Sequence, residues 1–179
     1  KESFLKDVFD HLTEFSMQTG PTPTLIGFPE SNPEISNSAK CFNSAAWCQG
    51  GKIQKIFRKR LLPTYDVFDE DRYFSAGDSP FCIRYKEKQI AVTICEDIWN
   101  VDSDLHSDNP LPIIAKDTPD LLINLSASPW HQGKQERRLQ ILKKTVQEIG
   151  CPICYVNSIG GNDELIFDGG SLTIGESGE

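Results

Sequence analysis

The sequence predicts an α/β fold in which mixed sheets carry helices on one face or both. Two amphipathic helical stretches, 3–17 and 133–150, are set among short runs of strand length. The run from Asp120 to Leu125 is almost continuously apolar and reads as a strand. Other strand-like runs come in pairs around short turns, which implies antiparallel neighbours. Strands that alternate with helices in one place and with hairpins in another mix parallel with antiparallel pairing.

Phe4, Leu5, Val8, Phe9, Leu12 and Phe15 recur at helical spacing and predict the first helix, which Gly20-Pro21 stops. Thr24 to Phe28 reads as a short buried strand, and Ser31-Asn32-Pro33 as the start of a loop. Cys41–Cys48 and Ile53–Arg58 form a hairpin around Gln49-Gly50-Gly51-Lys52. Leu62 to Gly77 has turn residues and aromatics without a period, which predicts an ordered loop with a helical turn at most. Phe81–Tyr85 and Gln89–Cys95 form a second hairpin around Lys86-Glu87-Lys88. An acidic loop is expected over 102–109, a short helix over 112–116 and a strand over 120–125. The long helix 133–150 places Leu139, Leu142, Val146 and Ile149 on one face, and strands are expected at 152–157 and 171–174.

With 18 Lys and Arg against 26 Asp and Glu, the net charge is -8, and the longest basic run is Arg58-Lys59-Arg60. Nucleic acid and anionic membrane surfaces are therefore poor partners. No stretch approaches the roughly 20 apolar residues of a membrane span. Residue 1 opens into the helix pattern without a signal peptide or an initiator Met, and the chain stops at the turn-like Gly175-Glu176-Ser177-Gly178-Glu179. Both ends lead us to expect a piece of a longer protein. The six cysteines show no disulfide framework, which favours free thiols in a reducing cytoplasm.

One of them stands out. In Ile90-Ala91-Val92-Thr93-Ile94-Cys95-Glu96-Asp97-Ile98-Trp99 a β-branched run ends at a thiol, with two acids following. A strand that delivers a thiolate to a sheet's carboxyl end presents a good acyl nucleophile. Glu96 and Asp97 are expected to cap the turn that follows rather than to act as bases. A cysteine acting on an amide needs a base and a donor for the oxyanion. His11 falls on a helix surface and His106 in the acidic loop, so His131 is the one histidine candidate for a cysteine–histidine arrangement. The other solution is a lysine with a carboxylate. Alternation along its strand turns Lys59 opposite to Arg58 and Arg60, which would bring an ammonium inward. Cys151-Pro152-Ile153-Cys154 imitates a redox pair but enters a strand, and there is no second pair for zinc. Gly160-Gly161 and Gly169-Gly170 are expected to be tight turns rather than phosphate cradles.

Three segments together resemble the nitrilase, or carbon–nitrogen hydrolase, superfamily: Lys59-Arg60-Leu61-Leu62-Pro63-Thr64-Tyr65, Phe68-Asp69-Glu70-Asp71-Arg72-Tyr73-Phe74 and Ile94-Cys95-Glu96-Asp97-Ile98-Trp99. The runs from Asn124 to Lys134 and from Tyr155 to Ser171 are similar to those of the glutaminase domains of glutamine-dependent NAD synthetases. The resemblance covers nearly the whole chain. It implies a four-layer αββα sandwich with mixed sheets, truncated at the N-terminus. It also implies hydrolysis of L-glutamine through a cysteine thioester, with ammonia passed to a linked synthetase domain that aminates deamido-NAD.

Carried over by position, Cys95 is the nucleophile, Lys59 holds the oxyanion and Glu70 is a supporting glutamate near the lysine. Tyr65, Ser128 and Lys134 match substrate-holding positions. No metal or cofactor is implied for the glutaminase part, whereas ATP and Mg²⁺ are implied for the synthetase domain, and the assembly is expected to be a homo-oligomer in the cytoplasm. One position departs from the pattern. Phe28-Pro29-Glu30 imitates the motif of the base glutamate but is followed by Ser31-Asn32-Pro33-Glu34 instead of a Gly-Tyr turn. Glu30 is therefore expected to be a decoy, with the base lying before residue 1. That would leave this piece impaired on its own. The alternatives are a stand-alone amidase or nitrilase of the same superfamily, and an inactive structural module.

Overall fold

The computed structural model describes residues 2–32, 41–78, 81–101 and 108–179, with the side chains of Asn100 and Val101 excepted. Pro33, Glu34, His106 and most of the acidic loop expected over 102–109 lie outside them. The chain divides into two compact units, Lys1–Pro80 and Phe81–Glu179.

The first unit lays one helix on a three-stranded antiparallel sheet. α1 spans Glu2–Met17, close to expectation. It packs on β1 (Thr24–Ser31) and β3 (Lys52–Arg58), while β2 (Cys41–Gln49) runs between those two strands. Leu12, Phe28, Ala46 and Cys48 form the core, with Val8, Ile26, Ile53 and Ile56 against it. Phe4, Phe9 and Phe15 face outward instead, so the buried stripe of α1 is narrower than its apolar periodicity. Strand β1 runs three residues past Phe28, through Pro29 to Ser31, the residue at which a loop was expected to begin. Among the described residues β1 is an edge strand, and a proline there removes no inter-strand hydrogen bond that the sheet needs. The β2–β3 turn uses Gly50 and Gly51, both at positive φ, and a bulge follows Trp47.

The second unit is a five-stranded mixed sheet in the order β10-β7-β6-β5-β4. β4 (Cys82–Tyr85) and β5 (Lys88–Ile94) form the expected hairpin. β5, β6 (Leu121–Ser126) and β7 (Ile153–Asn157) are parallel, and β10 (Leu172–Ile174) closes one side antiparallel. α2 (Leu111–Lys116) and α3 (Lys134–Ile149) pack on each other, and α3 also lies on β7 and β10. Ala91, Leu122 and Ile153 from the parallel strands meet Ile141, Leu142 and Val146 of α3 in the core. Each large apolar side chain so buried stabilises the fold by about 1.5–3 kcal/mol. Gly150 ends α3 in the left-handed conformation, with its N–H donating to the Val146 carbonyl at 2.8 Å.

Two expectations need correction here. Leu139 is exposed, because the buried face of α3 is centred on 138, 141, 142, 145, 146 and 149, and it includes a charged residue, Arg138. Gly160-Gly161 is strand rather than turn: β8 (Ile159–Asn162) pairs with β9 (Leu165–Asp168) around a two-residue turn in which Asp163 has φ +51°. Asp97 also ties the turn backward: its carboxylate accepts from the N–H of Ile94 at 3.0 Å.

Candidate active site

Strand β5 buries Ile90 to Ile94 completely, and the chain then breaks out of the sheet at Cys95. That residue has φ +43°, and from it a 3₁₀ helix runs over Cys95–Val101. A left-handed conformation at a residue with a Cβ costs on the order of 1–3 kcal/mol and persists only where its surroundings impose it. Here they do. Asp97, fully buried, fastens the turn to Ile94. Asn124 on the neighbouring strand donates from Nδ2 to Thr93 Oγ1 at 3.0 Å and to the Cys95 carbonyl at 3.5 Å. Ser126 orients that amide by donating to its Oδ1 at 2.7 Å. The result is a strained elbow with a partly exposed thiol at the carboxyl end of parallel strands, the edge where open α/β sheets bind ligands.

The same edge holds the loop after β6. Ser128 is buried, its N–H donates to Asn157 Oδ1 at 2.9 Å, and its carbonyl accepts from Arg138 Nη2 at 2.8 Å. Asn157 in turn donates from Nδ2 to the Gly169 carbonyl at 2.7 Å. Lys134 begins α3, and its ammonium lies 4.1 Å from the centroid of the Trp99 ring, four residues after the elbow cysteine. That attraction is worth about 0.5–2 kcal/mol and keeps the cation near the elbow. Tyr155 lies beneath, where burial pushes its phenol up and Cys95 adds to the rise.

In the first unit Lys59 is only 1% exposed, so the inward orientation expected from alternation holds. Its backbone is held on both sides: the N–H donates to the Asn43 carbonyl, and its own carbonyl accepts from Gly77, both at 2.8 Å. A Cβ at Gly77 would fall 2.4 Å from Arg58 Cβ, so only glycine allows that approach. The Lys59 ammonium donates to Glu70 Oε1 at 2.6 Å. Glu70 opens a 3₁₀ turn, Glu70–Arg72, within the ordered loop, and its Oε2 is buried without a hydrogen-bond partner among the described residues. Tyr65 in the same loop is 41% exposed and meets the Phe68 ring edge-on.

Glu30 makes a different set of bonds. It takes a forked pair from Arg58, at 2.9 Å from Nε and 2.7 Å from Nη2, and a bond from Ser44 Oγ at 2.7 Å. The Arg58 guanidinium also stacks over Phe42 at 4.1 Å. These contacts tie three strands together. Replacement by glutamine is expected to lower stability by about 1–3 kcal/mol while leaving kcat within about threefold, measured by thermal unfolding beside steady-state assay.

The remaining cysteines and histidines contribute less. All six thiols are free. Burial pushes the Cys151 thiol up to about 11, so a thiolate there is scarce at neutral pH. His11 and His131 are exposed, with ring nitrogens on the carbonyls of Asp7 and Gln132. Among the described residues no group of three or more His, Cys, Asp or Glu side chains is arranged to hold a metal, and no helix is long and apolar enough to cross a membrane. Asn124, Asn157, Trp99, Arg138 and Asp168 went unread as site residues. Asn124 is the one polar residue in the apolar run Leu121–Leu125 and Asn157 ends its strand, which were the available signals.

Residues 5–179 match the carbon–nitrogen hydrolase family. A glutamine-dependent NAD(+) synthetase of Synechocystis is 40% identical over 185 residues, covering 99% of this chain and 33% of that protein. Among solved structures, a glutamine-dependent NAD+ synthetase of Acinetobacter baumannii in complex with ADP superimposes with a TM-score of 0.85 at 31% identity. The match covers 98% of this chain and 31% of that one. A carbon–nitrogen hydrolase of Helicobacter pylori, 21% identical, shares the fold with a TM-score of 0.75 over 98% of this chain and 63% of its own. The chain thus spans about a third of the length of the curated relatives it matches.

Proposed function

This chain belongs to the carbon–nitrogen hydrolase family, and from that premise we propose that it is the glutaminase part of a glutamine-dependent NAD synthetase. The observation that carries the proposal is the elbow: a partly exposed Cys95 at φ +43°, on the same sheet edge as the Ser128–Lys134 loop.

In this reading the Cys95 thiolate attacks the side-chain amide carbon of L-glutamine, and the carbonyl π electrons move onto oxygen. Lys59 supplies the positive charge for that oxyanion, with Glu70 holding its ammonium. The tetrahedral intermediate collapses, the C–N bond breaks, and nitrogen leaves as ammonia carrying the proton taken from the thiol. A thioester remains on Cys95. Water attacks it, the C–S bond breaks, and glutamate is released with the thiol restored. The substrate's ends are held separately: Lys134 pairs with the α-carboxylate, while Ser128 and Tyr65 bind the remaining polar groups. The resemblance assigns the proton-transferring base to a glutamate outside residues 1–179, and the binding of Glu30 by Arg58 and Ser44 supports that assignment.

The ammonia would pass to a linked synthetase domain that uses ATP and Mg²⁺ to aminate deamido-NAD, a reading supported by the names and the greater length of the relatives. Action in the cytoplasm belongs to the same proposal and agrees with six free thiols. The test is ammonia release by the intact protein from L-glutamine, asparagine and acetamide. Glutamine preferred by at least about 10²-fold in kcat/KM is expected, because a buried polar grip rejects substrates that leave it unpaired. Preference for acetamide would favour a stand-alone amidase, and turnover of none of the three would favour a structural module.

A further inference from the structure

Arg138 has no part in the chemistry above, yet it is among the most buried charges of the second unit, 2% exposed on the apolar face of α3. Removing an unpaired guanidinium from water would cost several kcal/mol, so its partners must repay that penalty. They are two, on different elements. Nη1 donates to both carboxylate oxygens of Asp168 at the end of β9, at 2.7 and 2.9 Å. Nη2 donates to the carbonyl of Ser128 at 2.8 Å. A planar fork holds two partners from separate nitrogens in a fixed geometry, whereas the three donors of a lysine rotate about one nitrogen. The same two segments are joined a second time, because Asn157 accepts from the Ser128 N–H and donates to the Gly169 carbonyl. The peptide of Ser128 is thus gripped at both its donor and its acceptor, and both grips run on to residues 168 and 169.

We propose that Arg138 and Asp168 act as positioning residues for the substrate-holding loop: the fork sets the height and orientation of Ser128 and couples that loop to the β8–β9 hairpin. The proposal rests on the glutaminase reading for what the loop binds, but not for the coupling itself. Slackening the fork should weaken the grip on the substrate without touching the bond-breaking groups, so KM should move and kcat should not.

The experiment uses the intact protein carrying Arg138→Lys, Asp168→Asn and the pair together. KM for glutamine is expected to rise at least tenfold in each single variant, with kcat within threefold. The double variant should be no worse than the weaker single by more than threefold, because both act through one network. Asp168→Asn perturbs a partly exposed partner and serves where Arg138→Lys fails to fold. A KM unchanged within twofold, with only the melting temperature lowered, would overturn the proposal and leave Arg138 as a fold-stabilising residue. If the unaltered protein does not hydrolyse glutamine, the glutaminase reading fails separately. Hydrogen exchange over residues 127–133 then decides the coupling: faster exchange in Asp168→Asn supports it, and unchanged exchange overturns it.

Discussion

Replacing Cys95 with alanine is expected to reduce glutamine turnover by at least about 10⁴-fold, the scale seen when a covalent nucleophile is removed, while leaving the fold intact. The geometry separates the two effects. Cys95 is partly exposed and stands outside the apolar cluster of α3 with the parallel strands, so truncation opens no large cavity. What it bears is backbone strain, at φ +43°. That strain adds a second, opposite result. Glycine at this position should be more stable than alanine by about 1 kcal/mol, because it adopts the left-handed conformation without a Cβ clash. Greater stability of glycine than of alanine at this position is the signature of a residue held in place against local preference. Thermal unfolding of the alanine and glycine variants beside ammonia release measures both parts.

Lysine 59 is the second large effect. Lys59→Met should lower kcat by about 10²–10³-fold, the usual loss when one oxyanion donor is removed. It should also lower stability by about 1–3 kcal/mol, because Glu70 would lose its ammonium when its other oxygen already has no partner among the described residues. The two losses can be told apart with the double variant Lys59→Met, Glu70→Met. Replacing both members of a buried pair by apolar side chains is often neutral for stability, whereas removing one is not. The double variant should therefore regain most of the lost stability and none of the activity. Equal recovery of both would mean that Lys59 acts only as Glu70's structural partner.

How much of this was legible beforehand depended on whether the signal was local. Lys59 turning inward followed from alternation over three residues, and the structure buries it. The hairpin at Gly50-Gly51 announced itself by its glycines, and the one at Lys86-Glu87 by a short charged break between apolar runs. The β8–β9 hairpin did not: its turn is Asp163-Glu164 rather than an Asn-Gly or Asp-Gly pair, and Gly160-Gly161 erased the apolar alternation of its first strand. Arg138 was unreadable for a different reason. A lone arginine on a helix is usually solvated, and the partner that permits its burial, Asp168, lies 30 residues further along. Glu30 ran the other way. Its local motif imitates a catalytic one, while the forked bond it accepts comes from Arg58, 28 residues away. Periodicity thus located most of the elements, and resemblance supplied the roles. Most of the polar ties that set the elbow and the loop are long-range and had to be seen.

The central claim is that Cys95 is the thiol that meets the glutamine amide. The most direct measurement treats the intact protein with the glutamine-like electrophile diazo-oxo-norleucine at neutral pH and maps the adduct by peptide mass spectrometry. A single adduct at Cys95, slowed by added L-glutamine, is predicted, with Cys151 unmodified because burial holds its thiol near 11. An adduct at Cys151 or Cys154, or labelling of Cys95 that glutamine does not slow, would contradict the account.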